Sequence, residues 1–264
     1  MTERPANRHG RSLGLSVARR IVTDYMWASR AVPTVWVKRR ISIAKAVAAR
    51  QRHPDRPAWP VLFAKAFALA ARDIPELRRA FVRLPWPHIH EYPESTVSIL
   101  TERRFEDDTT IIPIRFRGPE TMALAELSRM MRHGVEAPLE ASKFNRLLLG
   151  FSRLPFFLRR PVWWIFLNLP RMRRHSAGTF AISSAAPLNT ELGRARTPIS
   201  NLVTYGPLDS KGALTVRLNF DHRIFDGLIA ARTLGRIEEL MNTVIADELK
   251  SGAKAAGKRP ARKR

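Results

Sequence analysis

The chain has 264 residues, of which 45% are hydrophobic and 26% charged, a length and balance that supply a full core and exclude a disordered chain. It contains no cysteine, which excludes disulfides, a thiol nucleophile and thiolate metal ligation, and its seven histidines form no ligand-spaced cluster, so no metal site is expected. The net charge of +23 rests on 46 basic residues, only nine of them lysine, and a field of that sign draws anions: nucleic acid, anionic lipid or phosphorylated small molecules.

In chain order, residues 1–14 are arginine-rich without the apolar core of a secretory signal, and are expected to be a flexible N-terminus. Residues 15–30 place Val17, Ile21, Tyr25 and Met26 at helical spacing. A strand is predicted over 34–43. Residues 59–73, WPVLFAKAFALAARD, form a helix opened by Pro60 and apolar nearly all round, hence buried. His88 and His90 alternate along an extended stretch, and strands follow at 95–101 and 109–116. A helix is predicted from Pro119 to Met131, with Glu120 where the helix dipole favours it. Strands at 178–184 and 213–220 precede a helix over 228–249, whose apolar face carries Leu234, Ile237 and Leu240. Residues 250–264 read as a basic, disordered tail. The mix implies an α/β or α+β fold, a mixed sheet packed with helices in one domain over 15–249.

Residues 143–175 stand apart as an aromatic and arginine-rich insertion containing Phe156, Phe157, Trp163, Trp164 and Phe166. The apolar run 161–170 is too short to span a bilayer. Two readings fit: an interfacial segment making peripheral membrane contact through rings and guanidinium groups, or a helical pair covering the core or a subunit interface.

The most informative stretch is 214–227, LTVRLNFDHRIFDG. Leu214, Val216, Leu218 and Phe220 fall on one face of a strand, and the strand ends in His222, Asp226 and Gly227, with the glycine expected to permit the turn into the next helix. A histidine at such a junction is well placed for proton transfer, because its pKa lies near neutrality and rigid elements hold it.

With its flanks, this motif resembles the DHRxxDG signature of the dihydrolipoamide acyltransferases of 2-oxo acid dehydrogenase complexes, whose catalytic domain has the two-layer sandwich fold of chloramphenicol acetyltransferase. ARRIVTDYMWASRAVP (18–33) resembles the family's opening helix, and WPVLFAKAFALAARDIPELRRAF (59–81) its long buried helix. DTTIIPIRFRGPETMALAELSRMM (108–131), GTFAISS (178–184) and TPIS (197–200) follow in family order.

The resemblance implies that His222 is the general base, that Ser183 donates to the oxyanion, and that Asp226 supports the histidine loop by pairing with Arg19, or alternatively Arg20. It implies a homotrimer with His222 and Ser183 meeting across a subunit boundary. Coenzyme A or acyl-CoA is then a substrate, and any lipoyl group is supplied in trans by a partner protein, since no lipoyl domain precedes the block. The acceptor is a thiol, hydroxyl or amine. The stretch from Ser183 to His222 is shorter than in the complex-forming enzymes, which leaves the acceptor open. The alternative is a non-catalytic trimeric scaffold that binds a partner or a membrane surface. Nucleic-acid binding has only charge in its favour, with no recognition motif. A cytoplasmic location is expected, with membrane association through 143–175.

Overall fold

The computed structural model describes residues 12–106 and 108–257. The elements run α1 (Val17–Ser29), β1 (Thr34–Ser42), α2 (Ala44–Arg52), α3 (Trp59–Asp73), β2 (Arg79–Val82), β3 (His88–Glu91), β4 (Thr96–Phe105), β5 (Asp108–Arg117) and α4 (Leu124–Glu136). They continue with α5 (Lys143–Ser152), α6 (Phe156–Asn168), α7 (Pro170–Ser176), β6 (Phe180–Ser183), β7 (Asn201–Tyr205), β8 (Ala213–Asp221), α8 (Gly227–Leu240) and α9 (Ala246–Gly257).

Six strands form one mixed sheet in the order β1-β8-β7-β6-β4-β5, while β2 and β3 make a separate hairpin. Strands β4, β6 and β7 run parallel, and the outer pairs are antiparallel. The principal core lies on one face, where α3, α4 and α8 meet Val97, Phe180, Val203, Leu218 and Phe220. Strand β8 contributes the alternate residues expected of it, because a period of two delivers Leu214, Val216, Leu218 and Phe220 to the same side. Helix α3 is buried from Val61 to Ala71. The one charge within that buried stretch, Lys65, is satisfied by Glu248 and by the Met122 carbonyl at 2.7 Å.

The opposite face is covered over β4–β7 by a smaller layer, in which α1 and α6 pack on Ala181, Ile199 and Leu202, and α1 and α5 on Phe105 and Ile112. Residues 143–176 form the three helices α5, α6 and α7, with Leu149 and Leu167 buried in this layer. Its anchor is buried: Arg159 of α6 lies 3.2 Å from Asp24 of α1, with both side chains almost fully enclosed.

Several boundaries differ from those predicted. Helix α4 begins at Leu124, because Gly118 takes a left-handed φ of +61° and Gly118–Thr121 closes a turn first. The last helix passes through a π-turn at Met241–Ile245 and stays helical to Gly257, so residues 250–257 are not a disordered tail; 258–264, like the expected flexible stretch 1–11, lie outside the described residues. Helix α2 and strand β7 were not predicted. The apolar positions of α2 are mostly alanine, and β7 is five residues buried on both faces, with no alternation to detect. Among the described residues no helix is long and apolar enough to cross a membrane.

Candidate active site

His222 follows the last residue of β8, on a loop fixed at each neighbour. Asp221 is 1% exposed, and its carboxylate accepts from the Arg223 backbone at 3.1 Å and from the Arg223 guanidinium at 2.9 and 2.6 Å. The guanidinium also lies over the Phe81 ring at 4.2 Å. The His222 amide donates to Pro33 O at 3.2 Å, and Ile224 N to Asp221 O at 3.0 Å. The imidazole itself is about half exposed, with Nδ1 3.2 Å from Phe225 O and 3.5 Å from Asp226 Oδ1. A proton on Nδ1 donated to that carbonyl leaves Nε2 with its lone pair outward, the form a general base needs.

Asp226 is the N-cap residue of α8, and its side chain is 83% exposed. The expected pair with Arg19 is not formed. Arg19 instead binds Asp108 through Nε at 3.2 Å and Nη2 at 3.3 Å, joining α1 to the start of β5. The Ser16 hydroxyl, at 2.7 Å, and the Arg19 guanidinium hold the Asp108 carboxyl below the usual carboxylate range. Arg20 turns to the carbonyls of Leu15 and Arg153. The side-chain brace of the histidine loop is thus Asp221 with Arg223, the two residues flanking His222, which the motif's spacing alone does not distinguish from ordinary strand-end charges. Gly227 opens α8 without a left-handed φ, and a Cβ there would meet Val37 at an ordinary 3.9 Å, so the turn does not require glycine.

Ser183 ends β6, at the other end of the sheet. The register runs Ser183 to Thr204 to Arg217 across β6, β7 and β8, and His222 lies five residues beyond Arg217. At strand spacings this puts the two residues about 16 Å apart along the strands and about 10 Å across them. One chain does not bring them together.

Two cavities meet at Ser183. The first, about 520 Å³, lies at the carboxyl ends of the parallel strands and is lined by Arg50, Trp59, Thr101, Ser184 and Tyr205. Crevices at such strand ends are where open α/β sheets bind ligands. The Arg50 guanidinium faces the Trp59 ring at 4.9 Å. The second, about 430 Å³, lies under α1, α5 and α6 and is largely apolar. Leu100 and Ser183 line both. Ser184 is committed to the fold, donating to Tyr205 O at 2.8 Å. A third cavity, about 340 Å³, adjoins the histidine loop and gathers four arginines, Arg30, Arg83, Arg173 and Arg223. Among the described residues no three His, Cys, Asp or Glu side chains gather as a metal site.

No family model matches the sequence, and no curated protein matches it significantly. Solved structures do match. A probable dihydrolipoamide acetyltransferase from Listeria monocytogenes aligns over 89% of this chain and 95% of its own, with a TM-score of 0.64 and 16% identity. A dihydrolipoamide acetyltransferase from Azotobacter vinelandii, described with a serine, a histidine and an asparagine four positions after it in the catalytic mechanism, aligns over 93% and 98%, with a TM-score of 0.61 and 14% identity. A chloramphenicol acetyltransferase aligns over 86% and 96%, with a TM-score of 0.50 and 12% identity. The mixed sheet with its packed helices is therefore the chloramphenicol acetyltransferase-like fold, in the form seen in dihydrolipoamide acyltransferase catalytic cores.

Proposed function

We propose that the protein is an acyltransferase that moves an acyl group between coenzyme A and a thiol, hydroxyl or amine acceptor, at sites shared between the subunits of a homotrimer. The observation that carries this reading is the placement of His222 and Ser183 at opposite ends of one sheet, each on a rigid element and each exposed to a cavity or solvent. Two halves of one site set that far apart become useful when a neighbouring copy supplies the missing half.

In the proposed reaction the acceptor's nucleophile attacks the thioester carbonyl while His222 Nε2 takes its proton. The resulting oxyanion accepts a hydrogen bond from Ser183 Oγ. The tetrahedral intermediate then expels the coenzyme A thiolate, which recovers the proton from the imidazolium. Arg50 beside Trp59 suits a phosphorylated donor with a planar base. A dihydrolipoyl group carried by a partner protein is one acceptor of the required chemistry. The described histidine, serine and +4 aspartate follow the order of residue types printed for the Azotobacter protein, with aspartate in place of asparagine.

Mixing two inactive variants tests the reading. His222→Ala should cost about 10²–10⁴-fold in rate, and Ser183→Ala about 10²–10³-fold. Unfolded together and refolded as mixed trimers, they should recover activity at roughly a quarter of the sites. A mixture as inactive as its components would place the two residues in separate roles.

A second reading is favoured by one feature of α6. Phe157, Leu158, Pro161, Trp164 and Ile165 fall on its outward side, all exposed and none charged. Such a stripe fits a non-catalytic scaffold that meets a partner or membrane surface.

A further inference from the structure

We infer that the apolar cavity beneath α1, α5 and α6 seats the alkyl chain of a medium- or long-chain acyl group, whose thioester carbonyl lies at Ser183. This deepens the acyltransferase reading and rests on it. Three observations converge. The cavity holds about 430 Å³ in the interior layer of a single chain, within the range of ordinary small-molecule sites. Its walls are mostly apolar, with Val22 of α1, Phe144 and Leu148 of α5, Trp163 of α6 and Leu202 of β7, while the hydroxyls of Tyr25 and Ser98 that also line it are hydrogen-bonded to Thr197 and to the Ala177 carbonyl. No carboxylate lines it, and its two arginines, Arg194 and Arg196, are exposed at the surface. Ser183 forms the one polar point shared with the more polar crevice at the strand ends.

A carbonyl bonded to Ser183 therefore has two substituents and two spaces to fill. The crevice offers Arg50 and Trp59 to the polar thioester side, which leaves the apolar space for the acyl chain. Each methylene removed from water contributes favourably, so chain length is read as affinity. The insertion that looked anomalous in sequence has a use here: its aromatic residues roof the cavity, Phe144 being held beneath the Arg115 guanidinium at 3.5 Å.

Equilibrium binding of acetyl-, hexanoyl- and decanoyl-coenzyme A to the full chain, followed by calorimetry, tests the inference without requiring turnover. Decanoyl-coenzyme A should bind at least about tenfold more tightly than acetyl-coenzyme A. Ala195→Phe and, separately, Val22→Phe should erase that preference by filling the cavity, leaving acetyl-coenzyme A binding within about twofold; two sites guard against one variant misfolding, which thermal unfolding reports. Equal affinity across the series, or a preference that survives in both folded variants, overturns the inference. So does decanol binding that adds to, rather than competes with, decanoyl-coenzyme A, since the chain would then belong to the acceptor. Tight decanoyl-coenzyme A binding with no transfer to any acceptor would leave the cavity assignment standing and sink the catalytic reading, whereas transfer of acetyl groups alone would do the reverse.

Discussion

At the scale of single residues, the contrast between Arg19 and Arg223 decides what holds His222. Arg223 is the bidentate partner of a carboxylate that is 1% exposed, so its removal strands a buried charge. Arg223→Ala should cost about 2–4 kcal/mol of stability and lower the rate of the proposed acyl transfer with it, because the loop bearing His222 loosens. Arg19 is half exposed and far from that loop. Arg19→Ala should leave the rate within about twofold, as exposed pairs contribute little. Its small effect on melting temperature has a definite pH dependence. The Asp108 carboxyl is held below its ordinary range, so the stabilisation is present above that range and is lost as the pH falls through the lowered value. Melting curves of wild type and Arg19→Ala should therefore converge as the pH is taken from neutral to acidic.

At the scale of elements, the aromatic insertion is attached by one buried ion pair and a set of apolar contacts. Asp24 and Arg159 join α1 to α6 with almost no exposure, and Arg159 also donates to Ser152 O at 2.9 Å, tying α6 to the end of α5. Asp24→Ala leaves the guanidinium buried without its carboxylate, and should cost about 3–5 kcal/mol in denaturant titration. Replacing both members with leucine should recover much of that loss, since a buried pair is often matched by apolar side chains of similar volume. If the single and double variants are equally destabilised, packing rather than charge holds α6 in place. Proline at position 161 removes one amide donor from α6, which makes this tertiary anchoring more important than the helix's own ladder.

For the molecule as a whole, the distance between Ser183 and His222 and the outward face of α6 raise the same question, namely what a single chain leaves unfinished. In the proposed reaction Ser183 and His222 require a second copy. The α6 stripe requires a cover, and the surrounding arginines give it a sign: co-sedimentation with anionic but not neutral vesicles, weakening as salt is raised, is the outcome of the membrane reading. Phe157→Ser with Ile165→Ser should then abolish sedimentation while the oligomer persists in analytical ultracentrifugation. Loss of the oligomer in that variant would instead assign the stripe to an interface between copies. Trp163 is uninformative in such a test, because it faces the inner cavity while its neighbour Trp164 faces out.

The amino-acid order by itself determined the alternation of β8, the all-round burial of α3, and the positions of His222 and Ser183 at strand ends. Each of these depends on a local period or on a run of a dozen residues, so side-chain pattern carries it. It did not determine β7, whose five buried residues lack a period, or the partner of Arg19, which comes from a strand 89 positions away. It also left open the separation of His222 from Ser183. Only strand register fixes that distance, and register is set by which faces bury together across the sheet. The cavity at Ser183 belongs to the same class: only the packing of α5 and α6 over β4–β7 turns Phe144 and Trp163 toward the space they enclose.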